Sequence, residues 1–249
     1  MDLNLKSLVI IILLVGFIFF PFSQAKCIRS SITIQSFADT FVNSMYLHTK
    51  YPERPHGYLW GMFAGNMYYK AENIFGSART YLRFNLSSIT PDFQIVSATL
   101  RLYIYDAPAT AKRFDIHVVY EDWDEGQLIW INQPDFCETY IDSTIIESMA
   151  DRWISWDVTE ATKAWHSHRY ENYGMMIKIS EERNATDELA SFYPKENLEG
   201  PEFRPKLEVT VEGETEIPEM YFSIFPLLLA LTLFFAFMIP KGLSRERAK

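Results

Sequence analysis

The sequence predicts an all-β fold: a single β-sandwich with one short helix, placed between two apolar terminal segments. Three observations support this prediction. Apolar and polar residues alternate over short segments, as they do in half-buried strands. Pro, Asp, Asn and Gly separate these segments and are typical of turns. The stretch between the apolar ends, residues 26–213, has a normal size for one all-β domain. Together they favour a sandwich or jelly roll.

The alternation is clearest in two segments. In residues 113–120 the apolar side chains alternate with Arg113, Asp115 and His117, and in residues 206–211 Leu and Val alternate with Lys, Glu and Thr. A period of two places the apolar residues of each segment on one face of a strand. Further strands are predicted in the runs SITIQ, TYLRF, ATLRLYIY, RWISWDV and YGMMIKI.

One segment, Thr159 to Tyr170, has a helical pattern. Thr159 is a residue type that caps helix starts, and Glu160 places a negative charge in the first turn, where it is favoured. Ala161, Ala164 and Trp165 share one apolar face. We expect a short helix lying across an open end of the sandwich.

The amino-terminal segment, residues 1–25, has the features of a secretory signal peptide. An apolar run at residues 8–20 follows Lys6, and the small residues Ser23 and Ala25 have the spacing that signal peptidase accepts. We therefore predict cleavage after Ala25 and export of the chain.

The carboxyl-terminal segment predicts a membrane anchor. After a linker at residues 214–219, the apolar stretch 220–240 is long enough to cross a hydrocarbon core of about 30 Å at about 1.5 Å per residue. The basic tail 241–249 is of the kind retained in the cytoplasm, so the domain would face outward and contact lipid only through this span. The tail also resembles the sorting signals of archaeal and bacterial surface proteins, so both a permanent span and a cleaved, lipid-attached form are open.

The formal net charge is −9 for the whole chain and −12 once the ends are set aside, since the signal segment is neutral and the basic tail contributes +3. An acidic surface repels phosphate backbones and makes nucleic acid an unexpected partner. It also disfavours polyanionic sugars.

Two cysteines and two Asn-X-Ser/Thr sequences suit an extracellular protein. A disulfide between Cys27 and Cys137 would tie the first strand to the core in an oxidising compartment. Asn85 and Asn184 begin sequences that have the form of glycosylation acceptors.

Six motifs in a fixed order resemble a known family: TYLRFNLSSI, IVSATLRLYIY, EDWDEGQLIWINQP, ISWDVTEATKAW, NYGMMIKI and RPKLEVTVEG, preceded by ADTFVNS. They are similar to the disaggregatase-related (DNRLRE) domain, grouped with the carbohydrate-binding modules as family 96, and the resemblance covers residues 36–213. It implies a secreted β-sandwich of jelly-roll type that binds polysaccharide in some members and accompanies polysaccharide-degrading enzymes.

Where the family has a polar loop, this chain has an aromatic one, at residues 51–70. Aromatic faces stack on the C–H groups of a sugar while nearby amides bind its hydroxyls. Our hypothesis is a glycan platform, and the alternative is a small satellite core beneath the loop. The candidate carbohydrate-binding residues are Tyr51, Tyr58, Trp60, Asn66, Tyr68 and Tyr69.

Metal binding and catalysis have weaker signals. Calcium, which prefers oxygen ligands, is suggested by the acidic run Glu121, Asp122, Asp124 and Glu125, although solvated acidic loops give the same pattern. His166 and His168 are two residues apart on the predicted helix and hence on different faces, a poor arrangement for joint metal ligation. Common hydrolase, metalloprotease and phosphate-loop motifs are absent from the sequence.

The sequence thus predicts a non-catalytic carbohydrate-binding module displayed on the outer face of the cell membrane. The first alternative is a structural or adhesive envelope protein that binds other surface proteins. The second is an enzyme that degrades polysaccharide.

Overall fold

The computed structural model describes residues 26–46, 61–71, 73–186, 188–198 and 200–215. Contacts within the chain define two units, one of residues Cys27–Gly213 and one of Met1–Lys26 with Glu214–Lys249. The strands and the helix belong to the first unit, apart from the outermost residues of the first and last strands. The predicted signal peptide and membrane span lie outside the described residues, and the part that the structure describes has no helix long and apolar enough to cross a membrane.

The described residues form ten antiparallel strands and one short α-helix, which confirms the predicted all-β class. The predicted linker begins within the last strand. The strands are β1 (Lys26–Asn43), β2 (Met62–Tyr69), β3 (Ile74–Phe84), β4 (Gln94–Asp106), β5 (Lys112–Val118), β6 (Asp142–Ile146), β7 (Arg152–Asp157), β8 (Met175–Ile179), β9 (Glu188–Phe192) and β10 (Lys206–Thr215), and the helix α1 is Thr159–His166.

Neighbouring strands follow the order β1-β10-β4-β9-β2-β3-β8-β5-β6, with β7 also paired to β4. β1 lies beside β10 and, from Ser36 to Asn43, also beside β3, with a shift of register between Ser36 and Ala38. A bulge of this kind bends a strand. β1 therefore links one end of the strand order to β3 in its interior.

One large core holds the strands together. Along β4, Leu100, Leu102 and Ile104 are buried, whereas Arg101 and Tyr103 on the opposite face are half-buried. The buried row of β4 packs in the same cluster as apolar residues of β3, β5, β7, β8 and β10. Each large side chain contributes about 1.5–3 kcal/mol when fully buried. Two layers that share one apolar interior form a β-sandwich.

The helix begins at Thr159 as predicted, but its capping and its end differ from the prediction. Thr159 does not cap it: the Thr159 hydroxyl accepts a hydrogen bond from the Ala98 amide at 2.9 Å and so ties the helix to β4. Asp157 provides the polar partner at the start, because its carboxylate accepts the Thr159 N–H at 2.9 Å. The helix ends at His166 and not at Tyr170, because His168 has a φ of 54°, in the left-handed region.

The predicted disulfide is wrong, since Cys27 and Cys137 are not joined. The thiol of Cys27 donates to the carboxylate of Glu212, on β10. The Cys137 amide donates to the Val118 carbonyl at 2.8 Å, at the end of β5. Cys27 thus lies on β1, the first strand of the order, and Cys137 lies beside β5, the last but one, which the sequence separation did not reveal.

Candidate functional site

The structure describes half of the predicted aromatic platform. Tyr51, Tyr58 and Trp60 lie outside the described residues, whereas Tyr68 and Tyr69 end β2. The Tyr68 ring stacks on Phe75 with 4.6 Å between ring centroids, and Tyr69 is 44% exposed. These side chains form a small aromatic patch at the tip of the β2–β3 hairpin. Their role in sugar binding stays a prediction.

The prediction that Asn66 binds carbohydrate needs a correction, because its side chain is completely buried. Its amide nitrogen donates to the Glu188 carboxylate and to the Glu181 carbonyl, both at 2.8 Å. Its amide oxygen accepts hydrogen bonds from Ser77 and from the Arg183 N–H. All of these contacts lie within the protein, so Asn66 holds β2 to its neighbours and offers nothing to a sugar.

Glu188 is the charged partner in this network. Burial raises the pKa of its carboxyl, but hydrogen bonds from Lys112 and Asn66 and the charges of Lys112 and Arg183 outweigh that effect, so the pKa is lowered. The ionised carboxylate is therefore the form that the fold holds between β2 and β9.

The four acidic residues that suggested calcium do not come together. Glu121 accepts the Asp135 N–H, and Asp122 pairs with Arg83. Asp124 accepts two backbone N–H groups through its carbonyl, which closes a turn. Glu125 alone joins a carboxylate cluster.

That cluster consists of Glu125, Asp39 and Glu196, whose carboxylate oxygens lie within 4.8 Å of one another. The ammonium group of Lys195 pairs with both glutamates. Asp39 accepts hydrogen bonds from the Ser36 hydroxyl and the Lys195 backbone N–H. The protein thus supplies its own cation to the cluster. The calcium ion suggested by the acidic run 121–125 stays a prediction. An unchanged melting temperature in the presence of EDTA would contradict it.

Burial dominates the chemistry of Asp39. It raises the pKa of this carboxyl to about 7, despite the Ser36 hydrogen bond and the charge of Lys195, which both lower it. The buried Asp39 carboxyl of the folded protein therefore gains or loses its proton near neutral pH.

A cleft opens at the end of the sandwich where α1 ends. It has two neighbouring cavities, of about 470 Å³ and about 740 Å³. We call the smaller one the polar cavity, since Arg83, Asn85, His166, His168 and Asn172 are among its lining residues. We call the larger one the apolar cavity, since its walls include Val118, Val119, Ile141, Ala161 and Ala164.

The end of the helix shapes the space between the cavities. The His168 N–H donates to the Trp165 carbonyl at 3.0 Å, and the Arg169 N–H to the Ala164 carbonyl at 2.9 Å. Helices often end with a left-handed residue of this kind, usually glycine, because a β-carbon is unfavourable there. A histidine in this position turns the chain so that Tyr170 lies 60% exposed between the two cavities.

Arg83 holds the floor of the polar cavity. Its Nε donates to the Asn172 carbonyl at 3.0 Å, and its guanidinium lies 5.7 Å from the Phe37 ring centroid. Asn172 is fixed in turn, because its amide donates to the Phe84 carbonyl at 2.8 Å and accepts the Gly174 N–H. The polar groups below the exposed rings are therefore preorganised.

The two histidines of the cleft, His166 and His168, differ in their contacts. Nε2 of His166 lies 3.0 Å from the Phe93 carbonyl, so it carries the proton and donates. This contact anchors the helix end to the segment before β4. His168 is exposed and lines the same polar cavity.

A second group of rings lies on the outer face of β4. Tyr103, Trp153, Tyr193 and Phe203 are half-buried, and the centroids of Tyr103 and Phe203 are 4.2 Å apart. Gly61, where the described chain resumes, packs so closely on Tyr105 that a β-carbon would overlap its hydroxyl. Because these rings mostly cover one another, they present less free surface than Phe37 and Tyr170, which are 51% and 60% exposed.

The sequence interpretation missed the cleft. It weighed the run HSHRYENYG, residues 166–174, as a metal ligand set, as the end of a helix and, from Asn172, as part of a strand motif. The signal was present, since two tyrosines alternate there with His, Arg, Glu and Asn. Exposed rings beside amide, imidazole and carboxylate groups can stack on sugar C–H groups and bind hydroxyls.

Fold and cleft together define a class: a β-sandwich domain with an aromatic-rimmed cleft at one end. The match to a family model is specific. Residues 30–211 fit the model of carbohydrate-binding module family 96, and the chain belongs to this family. The resemblance inferred from the six motifs is confirmed.

One curated protein shows a partial similarity. The transforming growth factor beta-2 proprotein of Xenopus laevis is 27% identical to this chain over 122 residues, which cover 45% of this chain. The match spans 28% of the length of that protein.

We expect the titration of Asp39 to be visible in the stability of the protein. The folded state keeps a proton up to a pKa of about 7 that the unfolded chain releases near 3.8. Stability should therefore fall as pH rises between these values, by at most about 1.4 kcal/mol per pH unit for one proton. Urea unfolding at a series of pH values measures this slope.

Asp39→Asn, which mimics the protonated carboxyl, should remove this contribution, so that stability varies less with pH than in the wild type. Asp92→Asn, at an exposed position, is the matched control and should keep the wild-type slope. An Asp39→Asn protein with an unchanged slope would contradict the assignment.

Proposed function

We propose that this chain is a non-catalytic carbohydrate-binding module whose glycan site is the cleft at the end of α1. The observation that carries the proposal is the exposed ring of Tyr170 between two cavities, above the polar floor held by Arg83. Membership of a carbohydrate-binding family supports the class of ligand.

The net charge of the chain narrows the class of glycan that it can bind. The net charge of −9 repels polyanions at long range, and Glu171 lies exposed at the rim of both cavities. Hydroxyl groups, in contrast, can donate to a carboxylate and accept from an imidazole. We therefore propose a neutral polysaccharide of the cell surface or the environment as the ligand.

The second candidate is a structural or adhesive envelope protein. The hairpin-tip patch favours it, since Tyr69, Ile74 and Phe75 are all exposed there and exposed apolar groups mark interaction surfaces. A glycan array separates the two functions. Binding on the array supports the module, whereas a silent array together with co-purification of an envelope protein supports the adhesive role.

We also propose the display of this domain outside the membrane, as a jelly-roll sandwich exported by residues 1–25 and anchored by residues 220–240. The terminal sequence pattern supports it. We expect the mature protein to begin at Lys26 and to sediment with membranes. Amino-terminal sequencing and cell fractionation test this, and a cytosolic protein with an intact leader would contradict it.

Tyr170→Ala should weaken glycan binding about fivefold or more, because truncation of an exposed ring that stacks on a sugar costs over about 1 kcal/mol. The measurement is affinity electrophoresis or calorimetry with a glycan identified on the array. Tyr140→Ala is the matched control, since Tyr140 is a comparably exposed tyrosine at 46% and is not among the cleft residues. If Tyr69→Ala abolishes binding while Tyr170→Ala does not, the site is the hairpin tip.

His168→Gly should separate the stability of the fold from ligand binding. Glycine relieves the left-handed strain at this position, so the unfolding free energy should stay equal or rise by up to about 1 kcal/mol. Glycan affinity should fall, because the imidazole at the rim is lost. Equal affinity with raised stability would show that His168 is only a helix end.

A further inference from the structure

We infer that the cleft selects sugars carrying a methyl group, as an acetyl substituent or a 6-deoxy carbon, and that this group enters the apolar cavity. The inference rests on the proposed function and specifies the ligand of the same site. It follows from the position of the two cavities and from the difference in their walls.

The two cavities share one segment of the chain as a common wall. Trp165, Tyr170 and Glu171 line both of them. A sugar stacked on Tyr170 with its hydroxyls in the polar cavity can therefore direct a further substituent past the same ring into the apolar one. The rim position of Tyr170, at 60% exposure, leaves the ring accessible.

The walls of the apolar cavity favour a methyl group over a hydroxyl. Val118, Ile141 and Ala164 contribute aliphatic surface, and Ala161 and Trp165 belong to the main core. A hydroxyl placed against such walls loses its hydrogen bonds to water without replacement. A methyl group gains about fourfold in affinity when buried, from about 0.8 kcal/mol per carbon.

The rim of the apolar cavity can also hold the polar part of an acetamido group. Tyr120, Glu160 and Arg169 line its mouth, and Tyr120 is 55% exposed. An amide N–H can donate to the Glu160 carboxylate while its carbonyl accepts from Arg169. The volume of about 740 Å³ has room for such a substituent together with part of a neighbouring sugar.

Methyl-labelled NMR of the full-length chain tests the inference, because each cavity has its own methyl groups. Leu86 and Ile89 report on the polar cavity, and Val118 and Ala164 on the apolar one. The probes are two pairs: cellobiose with N,N′-diacetylchitobiose, and methyl α-L-mannoside with methyl α-L-rhamnoside. The members of each pair differ in the acetamido groups or the 6-deoxy carbon.

We expect a methyl-bearing sugar of at least one pair to shift all four reporters and to bind about fourfold or more tightly than its partner. The hydroxylated partner should shift only Leu86 and Ile89. Val118→Thr, which keeps the shape of the side chain and adds a hydroxyl, should remove this preference. Val96→Thr, at another half-buried strand position, is the control and should retain it.

Two results would overturn the inference in distinguishable ways. If sugars shift Leu86 and Ile89 equally well with and without the methyl group, the cleft binds glycan and the selectivity is wrong. If none of the four reporters responds to these probes or to any glycan bound on the array, both the selectivity for methyl groups and the proposed glycan site in the cleft are wrong.

Discussion

The structure depends on a single constraint, the shared burial of apolar rows from both layers of the sandwich. Leu100, Leu102 and Ile104 of β4 meet Ile177 of β8 in one core. A slip of one residue in any of these strands would turn its buried row to solvent and its polar row inward. The register of the strands is therefore fixed, and the register determines where each strand ends relative to its neighbours. The cleft is built from those ends.

Arg83 shows how the core determines the site. It lies on β3 between Leu82 and Phe84, both completely or almost completely buried, so its own side chain emerges on the other face. From there it reaches the Asn172 carbonyl and the rings of Phe37 and Tyr173. The same alternation that packs the interior thus directs a cation to the floor of the polar cavity. Desolvation of the aliphatic stem and pairing with Asp122 keep it there.

The sequence predicted those parts of the molecule that depend on periodicity. The alternation in residues 113–120 and 206–211 identified β5 and β10, and Trp165, expected on the apolar face of the helix, is buried. Contacts between distant segments were beyond it. Asn66 looked like a loop amide beside tyrosines, and only the pairing of β2 with β9 reveals Glu188 as its partner. The cleft escaped prediction for the same reason, since it combines residues from β1, β3, β5 and the segment after α1.

Asn85 gives the polar cavity an unusual neighbour. It is exposed at the cavity wall, where its side-chain oxygen accepts the Ser87 N–H at 2.9 Å in the turn after β3. An oligosaccharide attached to Asn85 would be tethered a few bonds from the exposed rings of the proposed glycan site. Tethering of this kind raises the local concentration of a group to the millimolar range. The attached oligosaccharide would then compete with free glycan for the cleft. The same polypeptide would have an occluded cleft when glycosylated at Asn85 and an open cleft when it is not.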